Sequence, residues 1–142
     1  MNASILIVED EGLIALDLKR QLEKAGLTVM MIADNGAEAL RSAELLRPAL
    51  VLMDIRLRGD LDGIETADLI RRNLHNPVIY VTAFADRHTI FRARSTGSSD
   101  YIVKPFQGVD FRSRIETAIE EHKRAERQRL AIEQQRLRAG LA

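Results

Sequence analysis

Ala49-Leu50-Val51-Leu52-Met53-Asp54 is the stretch that decides how this chain folds. An apolar run of this length, bounded by turn-forming residues, reads as a buried strand. A carboxylate does not ordinarily close such a strand unless something uses it. Two more runs end in the same way: Ile5-Leu6-Ile7-Val8 meets Glu9-Asp10, and Val78-Ile79-Tyr80-Val81 meets Thr82. A weaker run, Tyr101-Ile102-Val103, meets Lys104-Pro105. In a parallel sheet the carboxyl ends of the strands gather along one edge, where α/β proteins place their sites. Three carboxylates, a hydroxyl and a lysine would meet there. Acidic groups packed together repel, so the set calls for a divalent cation.

Working outward, short apolar runs alternate with segments of helical period, the pattern of an α/β fold. A strand is expected over Ser4 to Val8. A helix follows it, with Ala15, Leu18, Leu22 and Ala25 inward and Gly26 as its stop. A second strand spans Thr28 to Ala33. Asp34 or Asn35 caps a second helix that carries Ala39, Leu40, Ala43 and Leu46 and ends before Pro48. The third strand is Ala49 to Met53. A loop from Arg56 to Asp62 leads to a third helix with Ile64, Ala67 and Ile70 inward and Asp62 as its cap. The fourth strand follows Pro77, and its helix runs from about Asp86 to Ser95. The fifth strand is Tyr101 to Val103, with a last helix from near Gly108. Right-handed crossovers would place helices on both faces of the sheet.

Bulk composition narrows the function. With 142 residues, 46% hydrophobic and 30% charged, the chain reads as one soluble domain. Lysine plus arginine equals aspartate plus glutamate, 21 of each, so no global charge favours nucleic acid or an anionic membrane. There is no cysteine, which excludes a disulfide scaffold, a thiolate zinc site and a cysteine nucleophile. No apolar stretch approaches a membrane span and no signal-peptide layout opens the chain, so a cytoplasmic location is expected.

Glu9-Asp10, Asp54, Thr82 and Lys104-Pro105, in that order on successive strand ends, resemble the receiver domain of two-component response regulators, the CheY-like fold. Asp62-Gly63 and Asp100-Tyr101-Ile102-Val103-Lys104-Pro105-Phe106 extend the likeness, which covers about Ser4 to Lys123. The resemblance implies a flavodoxin-like, doubly wound, five-stranded parallel sheet of order 2-1-3-4-5. It implies that Asp54 takes a phosphoryl group from a phosphohistidine on a sensor histidine kinase or histidine phosphotransfer protein. Mg²⁺ would be held by Glu9, Asp10, Asp54 and the backbone carbonyl of Arg56. Lys104 would pair with Asp54 and then with a phosphoryl oxygen, and Thr82 would donate its hydroxyl to another. Tyr101 would turn inward or outward with phosphorylation, and the Lys104–Pro105 bond would be cis. The surface of helix four, strand five and helix five would carry the output to a downstream protein or a second copy.

Several residues depart from that pattern or have plainer explanations. Asp10 alone could be a helix cap. Arg58 stands where many receivers have proline, and the segment from Asp54 to Gly63 is one residue longer than the common form. His75, His88 and His122 read as surface residues. Asp60 and Asp62 lack the spacing of a calcium loop. A phosphatase of the haloacid dehalogenase type would carry a second aspartate where Arg56 stands, and no P-loop motif is present. The rival of a different class is a pseudo-receiver, a binding module that never uses phosphate.

The receiver is expected over residues 1–123, with a helical extension over 124–142. Leu130, Leu137 and Leu141 stand seven and four residues apart, half of a heptad seam among Glu, Gln and Arg. The extension reads as a solvated continuation of the last helix, a short dimerising coil, or a linker to a further domain. No DNA-binding module is expected, because too few residues follow the last helix.

Overall fold

The computed structural model describes residues 3–140. Five strands alternate with five helices: β1 Ser4–Val8, α1 Gly12–Lys24, β2 Thr28–Ala33, α2 Gly36–Leu46, β3 Leu50–Met53, α3 Gly63–Asn73, β4 Val78–Thr82, α4 Arg87–Arg94, β5 Asp100–Val103 and α5 Phe111–Arg138. All strand pairs are parallel, and the sheet order is β2-β1-β3-β4-β5.

The continuous apolar runs are explained by burial on both faces of the sheet. Successive strand side chains point to opposite faces. Ile5, Ile7, Leu50, Leu52, Ile79 and Val81 pack with Leu18 and Leu22 of α1 and Ile115 and Ile119 of α5. Their neighbours Leu6, Val8, Val51, Met53, Val78 and Tyr80 pack on the other face, with Ala39 and Ala43 of α2, Ile64 and Ile70 of α3, and Ala93 of α4. The sheet thus fills two separate cores, and β3 and β4 are buried along their whole length.

Helix starts follow local chemistry. The Asn35 side chain accepts the Glu38 N–H at 2.9 Å. Asp62 accepts the Glu65 N–H at 2.8 Å while Glu65 returns a bond to the Asp62 N–H at 3.0 Å, a complete capping box. Asp86 and Asp110 cap α4 and α5.

Some expectations need correction. β3 begins at Leu50 and β5 at Asp100, each shifted by one residue. Ala25 is the C-cap of α1 rather than part of it. The last helix starts at Phe111, not near Gly108, because Val109 folds back to the Phe106 carbonyl in a turn and Asp110 then supplies the cap. His75 and His88 are exposed, but His122 is half-buried on α5, and burial lowers its pKa. The last helix does continue through the charged tail: α5 buries Phe111, Ile115, Ala118 and Ile119, and every residue from 127 to 140 is exposed. Leu141, the last seam position, lies outside the described residues.

Candidate functional site

The hydrogen-bond ladder continues one step past the strands and sets the site. Asp54 N–H donates to Val8 O at 2.9 Å, and Glu9 N–H donates to Ala33 O at 3.0 Å. Lys104 N–H donates to Thr82 O at 2.8 Å. Parallel register, with Val8 opposite Met53 and Thr82 opposite Val103, then aligns the residue after each strand along one edge. Glu9, Asp10 and Asp54 are brought together there, with carboxylate oxygens all within 4.8 Å of one another.

Lys104 binds this cluster directly. Its Nζ donates to Glu9 Oε1 at 2.5 Å and to Asp54 Oδ2 at 3.0 Å. The other Asp54 oxygen accepts the Ile55 N–H at 2.7 Å, so the carboxylate is held in orientation. Glu9 is 3% exposed and Asp54 8%, so both charges depend on these partners. Burial pushes the Glu9 carboxyl up to about 7; the Asp54 charge adds to this and Lys104 works against it. Burial would lower the Lys104 ammonium, but its bonds to Glu9 and Asp54 hold it above the usual lysine value. Both shifts in this contact are upward, which favours the proton on each group. Lys104 keeps its proton, and the contested charge is on Glu9, the deeper acid facing a second acid.

Asp10 does not cap α1. The cap position is Glu11, which makes no side-chain cap bond. Asp10 instead faces an open cleft of about 340 Å³ lined by Asp54, Arg56, Arg58, Ala83, Phe84 and Lys104. Arg56 stacks its guanidinium over the Phe84 ring, 5.2 Å from the centroid, joining the loops that follow β3 and β4. Thr82 is fully buried, its hydroxyl accepting the Phe84 N–H at 3.5 Å. Tyr101 is half-buried against Tyr80 and donates its hydroxyl to Phe84 O at 2.7 Å. The Lys104–Pro105 peptide is cis.

Hard oxygen donors in a part-open cluster, with one lysine against three carboxylates, fit a small divalent cation such as Mg²⁺.

Two features of the site carry weak sequence signals or none. Gly63 opens α3 directly against the Asp54 backbone: a Cβ there would lie 1.8 Å from Asp54 O. Only glycine fits this approach, which gives a physical reason for the Asp62-Gly63 motif. Arg92 of α4 reaches Asp62 Oδ2 at 3.3 Å, tying α4 to the loop after β3. Nothing in the sequence pairs these two residues.

The sheet order and the acid–lysine edge define a receiver-type α/β signalling domain. The chain belongs to the response regulator receiver domain family, whose model matches residues 5–116. It is 40% identical over 115 residues to the transcriptional regulatory protein PdtaR of Mycobacterium tuberculosis, covering 81% of this chain and 56% of that protein. It is 34% identical over 120 residues to the phyllosphere-induced regulator PhyR of Methylorubrum extorquens, covering 84% and 44%. The chain therefore spans about half the length of these relatives. Among solved structures, the signal receiver domain of a modulated diguanylate cyclase from Desulfovibrio desulfuricans G20 superposes with a TM-score of 0.81 at 40% identity, covering 87% of this chain and 98% of that one. A CheY-like receiver domain protein from Methanospirillum hungatei gives 0.77 at 28% identity, covering 88% and 99%. Among the described residues no helix is long and apolar enough to cross a membrane.

Proposed function

We propose that Asp54 is the phosphoacceptor of this receiver domain, taking its phosphoryl group from a phosphohistidine on a sensor histidine kinase or a histidine phosphotransfer protein. The observation that carries the reading is the acid–lysine cluster: Asp54 lies between Glu9, Asp10 and Lys104 at the mouth of a cleft. A carboxylate oxygen of Asp54 attacks phosphorus as the phosphorus–nitrogen bond of the donor breaks, and the bonding pair returns to the histidine ring. The protein's task in such a transfer is to position and to neutralise. The Ile55 N–H fixes the carboxylate, and Lys104, 3.0 Å from Oδ2, meets a phosphoryl oxygen. Glu9, Asp10, Asp54 and the Arg56 carbonyl would hold Mg²⁺, which neutralises the charge of the transferred group. The domain is not an enzyme in the ordinary sense, since it is itself the substrate.

Thr82 and Tyr101 form the switch. The acyl phosphate brings about −1.5 to −2 charges, which draw the Thr82 hydroxyl toward the new oxygens. The Tyr101 hydroxyl bond to Phe84 O reports the position of that loop. The surface of α4, β5 and α5 then passes the state to a downstream protein or a second copy. Residues 1–123 make up the receiver and 124–142 its extension, helical as far as Arg138. The domain acts in the cytoplasm and contacts neither nucleic acid nor membrane itself.

Incubation with acetyl phosphate or phosphoramidate and Mg²⁺ tests this reading. Intact-mass analysis should show one added phosphoryl group, absent without Mg²⁺ and absent in Asp54→Ala. An undiminished adduct in Asp54→Ala overturns the reading. Beryllofluoride should alter hydrogen exchange between Phe84 and Gln107; if it binds and that segment does not respond, the switch is wrong.

A further inference from the structure

The loop after β3 does more than connect β3 to α3. Arg58 makes an isolated parallel bridge with Asn35, the residue that leaves β2 and caps α2. The sheet order is β2-β1-β3, so a bridge from the β3 loop to the end of β2 must cross the carboxyl end of β1. Glu9 and Asp10 stand at that end. Backbone pairing thus sets Arg58 above Asp10, with Nε 4.0 Å from Asp10 Oδ2. Gly59 follows at φ +96, a left-handed conformation that glycine adopts without strain.

The Arg58 side chain is 77% exposed and lines the cleft with Arg56 and Lys104. The three cations are not equivalent. Lys104 is committed to Glu9 and Asp54, and Arg56 to the Phe84 ring. The long contact of Arg58 with Asp10 leaves the planar fork of its guanidinium available to an incoming anion. That fork suits phosphate oxygens better than an ammonium does.

We propose that Arg58 is a specificity-determining residue of the phosphorylation site: it binds the phosphate of the incoming donor at the cleft rim, and its charge weakens cation binding at Asp10. This rests on the phosphoacceptor reading of Asp54. The two effects have opposite signs. Before the donor arrives, the guanidinium is a rival positive charge beside a metal carboxylate. When a donor anion reaches the rim, Arg58 can swing from Asp10 to the phosphate, releasing the carboxylate and holding the donor.

The test uses the full chain with Mg²⁺ and acetyl phosphate, in wild type, Arg58→Ala and Arg58→Lys. An exposed charge about 4 Å away acts through about 1 kcal/mol or less, so the expected changes are up to about fivefold. Calorimetric titration at low salt should show Mg²⁺ binding about three- to fivefold more tightly in Arg58→Ala. At saturating Mg²⁺, the acetyl phosphate concentration for half-maximal labelling rate should rise by a similar factor in the same variant. Arg58→Lys keeps the charge but loses the fork, so it should restore the wild-type Mg²⁺ affinity and only part of the donor affinity. Wild-type values of both constants in Arg58→Ala overturn the assignment of Arg58 while labelling at Asp54 stands. Mg²⁺ binding that weakens in Arg58→Ala also overturns it. Failure of wild type to be labelled at Asp54 defeats the phosphoacceptor reading and this assignment with it.

Discussion

Replacing Gly63 by alanine tests the contact that holds α3 against the end of β3. An ideal Cβ at this position lies 1.8 Å from Asp54 O and 2.7 Å from both Asp54 C and Ile55 Cα, where real Cβ contacts essentially never fall below 3.0 Å. These are backbone atoms, so no side chain can rotate away. The helix or the strand end must move, and the 2.7 Å bond from Gly63 N–H to Ile55 O must distort. Overpacking of this kind costs about 1–3 kcal/mol, and a weakened hydrogen bond about 1 more. Helix propensity acts the other way, favouring alanine by up to about 1 kcal/mol. The net expectation is a loss of about 1–3 kcal/mol, or a Tm lower by roughly 3–10 °C for a chain of this size. Gly12, at the start of α1, is the control: it has nothing within 4 Å of its Cβ position, so Gly12→Ala should be neutral or slightly stabilising. Urea unfolding followed by circular dichroism, with an unchanged m-value, measures both. Gly63→Ala as stable as Gly12→Ala would refute the packing argument.

Two further predictions concern pH. Burial pushes the Tyr80 phenol up to about 12. The neutral phenol is the form the fold favours, so this stability is whole below about pH 10 and is lost as pH rises toward 12. The loss should not exceed about 3 kcal/mol. Tyr80→Phe should flatten the fall in urea midpoint between pH 10 and 12, at a cost near neutrality of about 1 kcal/mol for the 2.9 Å bond to Thr96; an unchanged alkaline slope would count against it. Asp100 receives two bonds from Arg114, at 2.7 and 2.8 Å, which hold its carboxyl below the usual aspartate range. Its stability is present above the ordinary aspartate pKa and is lost as pH falls through the lowered one. Both side chains are about a third exposed, so Asp100→Asn should cost less than about 1 kcal/mol at pH 7. It should also reduce the acid dependence; a larger loss would mean that the pair does more than join β5 to α5.

The central strands β1, β3 and β4 were legible because both faces of the sheet are covered there, which makes each an unbroken apolar run with a sharp end. The same sharpness made the site legible: Glu9, Asp54, Thr82 and Lys104 declare themselves as polar residues closing apolar runs, and parallel register aligns strand ends. Helix caps were legible where an Asx side chain precedes a helical period, as at Asn35 and Asp62. The path of the loop after β3 was not. Its bridge to Asn35 pairs positions in two loops far apart in the sequence and leaves no periodic trace. The half-burial of His122 was hidden too, because its place depends on how far α5 runs before leaving the sheet. Gly63 stood out only as part of a motif; the reason for it is a three-dimensional contact with the Asp54 backbone.

The most direct test of the central claim is to locate the modified residue chemically. Borohydride reduces an acyl phosphate on aspartate to homoserine, so protein treated with Mg²⁺ and acetyl phosphate, reduced and digested, can be read by peptide sequencing in the mass spectrometer. The expected result is homoserine at position 54 alone, dependent on both Mg²⁺ and donor. Homoserine at another acid, or none in protein that carries the added mass, would contradict the assignment of Asp54.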